Sequence, residues 1–245
     1  MTLPAGFEWA RDGRTPSVVR SDLRAWLLPL LRAAADDALG AAAQPLAGGR
    51  GGTILVHTND HPVAIRPYRR GGLAAWVVHD TYIGWRPRPF RELATLATLL
   101  QRGAPVVEVC GACVRWLRPA CYRGWIVTRY VTGAQTLWQW VSATRDAGER
   151  DAVFRQVGGA IRELHRCGGR HPDLNFNNIL ICPPPRAPAV LFIDFDRPSF
   201  ACPSARAAAA DLARLERSAR RLDPHGRYVT AADLAALRTA YREPT

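Results

Sequence analysis

The sequence predicts an α+β fold built from two lobes. Strand-like segments bounded by glycine, proline or asparagine are concentrated before residue 131. Segments with apolar residues at helical spacing dominate after it, and the turn-forming run Thr132-Gly133-Ala134 separates the two regions. A length of 245 residues suits two lobes of one unit. We therefore expect a strand-rich N-terminal lobe over 1–131 and a helical C-terminal lobe over 132–245.

The first lobe is predicted to open with an irregular stretch, residues 1–20, and a helix over 21–43. Ser21 is a suitable N-cap, leucines recur on one face, and Pro29 should bend the helix. A glycine-rich turn, Gly48–Gly52, precedes the first paired strands. The remaining predicted elements are strands over 53–58, 62–68, 113–117 and 125–130 and a helix over 89–103.

The second lobe is predicted to be mainly helical because its apolar residues recur every three to four positions. His165, on an amphipathic helix, is expected to be a packed structural histidine. The predicted elements are helices over 135–143, 151–167, 204–222 and 230–242 and strands over 179–181 and 190–193.

Composition indicates a folded protein with an affinity for anions. Hydrophobic residues make up 48% of the chain and charged residues 22%, which is ordinary for a globular domain. The net charge is +12, and all 33 basic side chains are arginine. Genomic composition is the simplest reason for that bias. Because arginine keeps its charge and binds phosphate with a planar fork, nucleic acid, an anionic membrane or a phosphorylated substrate could each be attracted.

The six cysteines and the apolar segments are both unremarkable. Cys110 and Cys113 form a lone C-x-x-C, for which reduced thiols in a cytosolic protein are expected rather than a zinc or redox site. Residues 1–13 lack a secretory pattern. Proline and charged residues interrupt the apolar region 25–43, which excludes a spanning helix there. We expect a protein that is soluble or lies on a membrane surface.

One constellation points to phosphoryl transfer. Residues 171–178 fit the pattern H-x-D-L-x-x-x-N, and an apolar strand then leads to Asp194-Phe195-Asp196. Transfer from ATP needs a carboxylate to orient the acceptor hydroxyl, plus an amide and a second carboxylate to hold Mg²⁺ on the phosphates. The pattern therefore predicts a kinase that uses ATP and Mg²⁺, with a two-lobed protein-kinase-like fold.

Each member of this constellation has a predicted role. Asp173 is the catalytic residue, with a turn or cap role as its alternative, and Asn178 and Asp194 are the metal ligands. Asp196, in the position of the usual glycine, is either a further metal-site carboxylate or a cap. His171 is expected to brace the loop through hydrogen bonds.

Nucleotide-binding residues are predicted in the first lobe. Residues 63–66 match the V-A-I-K strand of kinases, with Arg66 in place of the lysine that contacts the α- and β-phosphates. Glu92 is the expected ion-pair partner of Arg66, although a helix-dipole role is its alternative. Backbone amides of the glycine turn, with Gly49 and Gly51, are predicted to cover the phosphates.

Two departures from protein kinases bear on the acceptor. Pro172 stands where protein kinases carry an arginine that binds the phosphorylated activation loop, and no A-P-E sequence follows Asp196. A long activation segment is therefore not expected, which favours a small-molecule or lipid-linked acceptor. The positive charge disfavours an antibiotic- or choline-type phosphotransferase, whose cationic acceptor needs an acidic surface. No recognised motif supports nucleic-acid binding.

Several segments together resemble the lipopolysaccharide kinase family, which acts on 3-deoxy-D-manno-octulosonic acid (Kdo) or heptose. The run Arg69–Leu73 discriminates most, because generic kinases lack it. The segments that carry the likeness are 66–73, 90–92, 103–106, 133–137, 171–180, 193–197 and 211–218.

The resemblance implies a peripheral enzyme at the cytoplasmic face of the inner membrane. It would use ATP to phosphorylate the 4-hydroxyl of Kdo on Kdo–lipid A precursor, acting as a monomer and without nucleic acid. The basic and aromatic segment 69–88 is our hypothesis for acceptor or membrane contact. The alternatives are a heptose kinase of the inner core and a non-catalytic kinase-like module that binds nucleotide or anionic lipid.

Overall fold

The computed structural model describes residues 3–11, 15–40, 43–46, 52–58, 62–68, 81–183, 189–195, 199–200 and 203–243. The chain packs as two units. The first contains residues 1–98 and 108–132, and the second contains residues 99–107 and 133–245.

The first unit is built on an antiparallel sheet and two helices. Its strands are β1 (Phe7–Ala10), β2 (Ser17–Arg20), β3 (Ala43–Pro45), β4 (Ile54–Val56), β5 (Val63–Pro67), β6 (Tyr82–Ile83), β7 (Val109–Arg118) and β8 (Cys121–Arg129). Within the described ranges their order is β1-β2-β7-β8-β5-β4-β3, and β6 pairs with β8. The helices are α1 (Arg24–Ala35) and α2 (Arg88–Gln101). The last residues of α2, from Leu99, belong to the second unit.

The prediction that residues 1–20 are irregular is wrong, because β1 and β2 lie there. β2 pairs with β7, and Val18 and Val19 are fully buried. Strands of four residues leave little periodicity to read in a sequence. β1 pairs with β2, and β2 is joined to the rest of the sheet by pairing with β7, about ninety positions away, which no local pattern reports.

The leading helix is shorter than predicted. Ser21 does not cap it but begins a 3₁₀ turn, Ser21–Leu23, and α1 follows with Pro29 inside it. The helix ends where Asp37 adopts a positive φ of 56°. Leu27 and Leu31 are fully buried against the sheet. A buried leucine stabilises a fold by about 1.5–3 kcal/mol, so this face fixes α1 on the sheet.

Cys110 and Cys113 pack in that same core. Burial raises the pKa of the Cys110 thiol to about 11 and also raises the pKa of Cys113. Both thiols are therefore protonated and apolar at neutral pH, which suits packing rather than metal or redox chemistry.

The second unit is largely helical. Its helices are α3 (Leu137–Ala143), α4 (Ala147–Arg166), α5 (Ala205–Leu222) and α6 (Ala231–Arg242). Its strands are β9 (Gln135–Thr136), β10 (Gly169–Arg170), β11 (Ile179–Ile181), β12 (Val190–Phe192) and β13 (Ser199–Phe200). In the described residues β11 pairs with both β9 and β12, and β10 pairs with β13. None of the helices in these ranges or in the first unit's described ranges is long and apolar enough to cross a bilayer.

The helix starts are set by side-chain caps. The hydroxyl of Thr136 accepts from the backbone N–H of Gln139, and Thr230 and Asp233 form the same reciprocal arrangement at α6. Such caps satisfy N–H groups that a helix leaves without an internal partner. They explain why these helices begin close to the predicted residues.

The close approach of α4 and α6 depends on Gly158. A Cβ atom at this position would overlap the carbonyl oxygen of Leu237 and lie 3.1 Å from the backbone nitrogen of Tyr241. Its neighbour Gly159 faces open space, with nothing within 4 Å of the corresponding Cβ position. Substituting each of these adjacent glycines therefore distinguishes the effect of close packing from the effect of helix propensity.

Replacing Gly158 by alanine should lower the free energy of unfolding by about 2 kcal/mol or more, because backbone atoms of α6 must move. Gly159→Ala should raise it by about 0.5–1 kcal/mol, because alanine is the better helix former. Urea unfolding of the two variants measures both changes. Equal effects of the two substitutions would contradict the close contact.

Candidate active site

The loop between β10 and β11 holds the predicted catalytic residue, and His171 braces its start as predicted. The buried ring donates from Nε2 to the carbonyl oxygen of Ile193 at 2.7 Å, and Nδ1 accepts from the backbone N–H of Asp173 at 3.2 Å. Burial lowers the pKa of His171, which keeps the ring neutral for this donor–acceptor pattern. Its ring also packs on Phe195, with centroids 4.5 Å apart. One histidine thus ties the loop to the residues on either side of Asp194.

Asp173 is exposed at the tip of this loop, and its carboxylate is held by an amide. Nδ2 of Asn175 donates to Oδ2 of Asp173 at 3.1 Å and to its carbonyl oxygen at 2.9 Å. The Oδ1 atom of Asn175 accepts from the N–H of Asn177 at 2.9 Å. An exposed carboxylate is therefore kept in one orientation by a buried side chain, which is the requirement for orienting an acceptor hydroxyl.

Asn178 and Asp194 lie at the same end of the β11–β12 hairpin. The N–H of Ile193 donates to the carbonyl oxygen of Asn178 at 3.1 Å, continuing the register that pairs Ile179 with Phe192. Nδ2 of Asn178 donates to the carbonyl oxygen of Asp173 at 2.9 Å. This bond occupies the amide nitrogen and makes the side-chain oxygen of Asn178 the atom suited to a metal.

The backbone of Asp194 is strained. Its φ of +68° lies in the left-handed region, which costs a non-glycine residue about 1–2 kcal/mol. The hydrogen bonds of Ile193 on one side and the fully buried ring of Phe195 on the other hold this conformation. Strain of this kind is concentrated at functional sites, where it fixes a side-chain direction.

The donor chemistry of these residues fits Mg²⁺. One amide oxygen and one carboxylate are hard oxygen ligands, and Mg²⁺ is commonly held by few protein oxygens together with substrate phosphates. Among the described residues, no group of three or more histidine, cysteine, aspartate or glutamate side chains is arranged to hold a metal.

A buried carboxylate anchors the start of the loop. Asp211 on α5 is fully buried and accepts two hydrogen bonds from Arg170, at 2.9 Å and 2.7 Å. Arg214 donates to it at 3.2 Å, and Nε2 of His165 lies 3.5 Å from it. The other ring nitrogen of His165 contacts the hydroxyl of Tyr241 at 2.9 Å. His165 is thus a packed residue, as predicted.

The Asp211 carboxyl stays ionised despite its burial. Burial alone would raise the pKa of Asp211, but the nearby His165 ring and the hydrogen bonds from Arg170 outweigh it and lower that pKa to about 2. Breaking a buried pair by removing one partner typically costs 3–5 kcal/mol, because an uncompensated charge remains. The position of Arg170, next to His171, therefore depends on this ion pair.

Arg66 and Glu92 form an ion pair in the first unit. Nη2 of Arg66 on β5 donates to the two carboxylate oxygens of Glu92 on α2 at 2.5 Å and 2.6 Å. The hydroxyl of Tyr68 also donates to Glu92, which is only 2% exposed. The Arg66 guanidinium lies over the Tyr68 ring, 4.9 Å from its centroid. The carboxylate thus fixes the direction of the arginine that replaces the usual lysine.

Some predicted residues lie outside the described ranges. They are Gly49, Gly51, Asp196 and the greater part of the segment 69–88, up to residue 80. Three residues with clear positioning contacts were given no role by the sequence: Arg170, Asn175 and Asp211. An Asn two residues after an Asp is a signal for a local turn, which points to Asn175. No local signal connects Arg170 with Asp211, because 41 residues separate them.

Comparison with solved structures identifies the fold. The chain is similar to WaaP, solved in complex with acyl carrier protein, with a TM-score of 0.58 and 20% identity over 93% of this chain and 89% of that one. It is also similar to a glucosamine kinase in crystal form B, with a TM-score of 0.51 and 14% identity over 98% of this chain and 82% of that one. The predicted two-lobed kinase-like fold is confirmed.

Sequence comparison identifies the family. The model of the lipopolysaccharide kinase (Kdo/WaaP) family matches residues 42–241. A 3-deoxy-D-manno-octulosonic acid kinase of Xylella fastidiosa (strain M12) is 34% identical over 73% of this chain and 70% of its own length. One of Xanthomonas campestris pv. campestris (strain B100) is 36% identical over 70% and 67%. The chain belongs to the lipopolysaccharide kinase (Kdo/WaaP) family, and it is a sugar kinase.

The Asp211 ion pair should make stability sensitive to acid. A carboxyl whose folded pKa is lowered contributes stability above its unfolded pKa and loses it as pH falls toward the folded value. With a fall from 3.8 to about 2, that loss runs between about pH 5 and pH 2. Between pH 7 and pH 3 the wild type should lose about 1 kcal/mol more than Asp211→Asn, as measured by urea unfolding at both values.

Asp151→Asn is the matched control, because Asp151 forms only an exposed ion pair with Arg155. That variant should follow the wild type within about 0.5 kcal/mol at each pH. Asp211→Asn itself should be less stable at pH 7 by about 3 kcal/mol. An acid response identical in wild type and Asp211→Asn would show that Asp211 does not carry it.

Proposed function

We propose that this kinase transfers the γ-phosphate of ATP to the 4-hydroxyl of Kdo on Kdo–lipid A precursor. The observation that carries the proposal is the orientation of Asp173 by Asn175, in a loop that also positions Asn178 beside Asp194. The acceptor follows from the relatives named 3-deoxy-D-manno-octulosonic acid kinase, which are 34% and 36% identical. The geometry of the loop supports phosphoryl transfer as the reaction, and the similarity to these relatives supports Kdo as the acceptor sugar.

Asp173 would act on the acceptor. Its carboxylate accepts the hydrogen bond of the sugar hydroxyl and directs the oxygen at the γ-phosphorus. As the new oxygen–phosphorus bond forms, the bond from that phosphorus to the β-phosphate oxygen breaks and ADP leaves. The hydroxyl proton goes to the Asp173 carboxylate. Positioning dominates such transfers, so the contact with Asn175 matters as much as basicity.

Asn178 and Asp194 would hold Mg²⁺, through the side-chain oxygen of the amide and through the carboxylate. The bound ion would supply charge neutralisation at the phosphate oxygens. The chain's own contribution is geometric: the Asn178 amide nitrogen is bonded to the loop, and the strained backbone of Asp194 fixes its direction. Both ligands are thereby set before the nucleotide arrives.

Arg66 would bind the nucleotide phosphates, with Glu92 and Tyr68 holding its guanidinium in place. The planar guanidinium of an arginine can bind, in a bidentate contact, the phosphate that lysine usually contacts in kinases. Backbone amides near Gly49 and Gly51 would cover the same phosphates. The acceptor is a phosphorylated glycolipid, so we place the enzyme at the cytoplasmic face of the inner membrane, held peripherally.

The deciding experiment is transfer of labelled γ-phosphate from Mg-ATP to three purified acceptors. These are Kdo–lipid A precursor, the same lipid lacking Kdo, and heptose-extended core. Labelling that requires only Kdo supports the proposal. Labelling of the extended core alone would keep the kinase and change the sugar. ATP binding without labelling of any acceptor would favour a non-catalytic module.

Substitution of Asp173 by alanine should lower kcat by about a thousandfold, because the hydroxyl loses its orienting base. The thermal midpoint should stay within about 2 °C of the wild type, since the side chain is exposed and carries little packing. Initial rates of transfer and a melting curve measure the two effects.

Asp151→Ala removes another exposed carboxylate from the same unit and should leave kcat unchanged. A folded and fully active Asp173→Ala protein would refute the mechanism.

A further inference from the structure

The tip of the β7–β8 hairpin, together with the loop after β6, forms an exposed apolar surface. Ile83 is 74% exposed, Trp85 is 75% exposed and Leu117 is 40% exposed. We call the residues Ile83–Arg86 and Leu117–Ala120 the hairpin tip. Large apolar side chains this exposed and this close together mark interaction surfaces in soluble proteins.

The hairpin tip projects from the described part of the sheet. In the described residues, backbone hydrogen bonds join the segment of β2 to β7 as far as Val114 and the segment of β5 to β8 from Gly124 onward. Beyond those residues the hairpin continues with β6 alongside it, where Ile83 pairs with Cys121. The two strands therefore extend past their neighbours and carry their apolar residues with them.

The exposed side chains sit on a firmly held backbone. The N–H of Gly84 donates to the carbonyl oxygen of Ala120 at 2.7 Å, which ties the loop to the hairpin turn. The Trp85 ring contacts Trp116 at 6.4 Å between centroids, and Trp116 packs edge-on against the buried Tyr122 at 5.5 Å. Because the backbone is fixed, displaying Ile83 and Trp85 costs little conformational entropy on binding.

The hairpin tip and the residues that flank it in these strands carry positive charge and no acidic side chain of their own. Residues 82–88 and 109–123 contain no aspartate or glutamate, while Arg86 and Arg118 are exposed beside the apolar residues. Arg115 and Arg123 on the same hairpin face Asp36 and Asp37. Arg86 and Arg118 are thus the outward cations of this surface.

We propose that the hairpin tip docks the first unit on the headgroup region of an anionic lipid bilayer. Tryptophan favours the boundary between headgroups and acyl chains, isoleucine and leucine favour the acyl side, and arginine binds lipid phosphate. An exposed apolar tip can enter a fluid bilayer without needing a complementary pocket. The choice of a bilayer as occupant rests on the proposed function, in which the acceptor is a membrane glycolipid.

Flotation of the full chain with vesicles tests this surface. Phosphatidylethanolamine vesicles with phosphatidylglycerol should carry the protein up the gradient, and phosphatidylcholine vesicles should carry much less. The double variant Ile83→Ser with Trp85→Ser should bind anionic vesicles about tenfold more weakly. Arg86→Gln with Arg118→Gln should do the same and lose most of the dependence on salt.

The matched control is Arg217→Gln with Arg221→Gln, which removes two exposed charges from α5. This variant should bind vesicles like the wild type. Equal vesicle binding by the wild type, the Ile83/Trp85 variant and the Arg86/Arg118 variant would overturn the proposal. A wild-type dimer that the Ile83/Trp85 variant converts to monomer, with lipid binding unchanged, would also overturn it and assign the surface to self-association.

Activity separates this proposal from the proposed function. With acceptor dispersed in detergent, the Ile83/Trp85 variant should transfer phosphate at the wild-type rate, whereas with acceptor in vesicles its rate should fall about tenfold. If the Ile83/Trp85 variant transferred phosphate more slowly than the wild type in detergent, the result would count against a role of these residues in docking alone. Absence of transfer by the wild type in detergent, with vesicle binding intact, would refute the acceptor assignment and leave the docking surface standing.

Discussion

The buried carboxylate of Asp211 is the constraint on which the second unit's chemistry depends. It can remain charged away from water only because Arg170, Arg214 and His165 surround it. These partners come from β10, α5 and α4, so a single charge fixes three elements at one point. The loop that carries Asp173 begins directly after Arg170. Its origin is therefore set by this ion pair together with close packing, because Gly169, the residue before Arg170, leaves no room for a Cβ atom beside Leu99 and Leu164.

Beyond this ion pair, hydrogen bonds within the loop hold the proposed reactive groups in position. His171 links the loop to Ile193, and Asn175 links its own turn to the carboxylate of Asp173. The left-handed backbone of Asp194 persists because these contacts over-determine it. A loop built in this way loses little entropy when the substrate arrives. Its rigidity is a physical reason for assigning it a positioning role in phosphoryl transfer.

The sequence reveals the parts of the site whose signals are local. Asp173 and Asn178 are five positions apart, and Asp194 directly follows an apolar run that reads as a strand in the sequence, so one spacing pattern predicts all three. Their catalytic and metal-binding roles remain predictions. The pairing of Arg170 with Asp211 has no local signature, since an aspartate in a helix has many uses. The same limit explains why β2 was not predicted, because its partner β7 lies about ninety positions away in the chain.

The arginines fall into two groups that net charge alone does not separate. Arg150 and Arg170 are paired with the buried carboxylates of Asp233 and Asp211, and Arg150 also donates to the carbonyl oxygen of Thr144 at 3.0 Å. These residues hold the fold and the loop, so they contribute little field at the surface. Attraction for an anionic acceptor must come from the exposed arginines instead. Exposed charge is most effective where acids do not offset it. The hairpin tip carries the exposed Arg86 and Arg118 and no acidic residue of its own, so it is a surface on which arginine can attract an anionic partner directly.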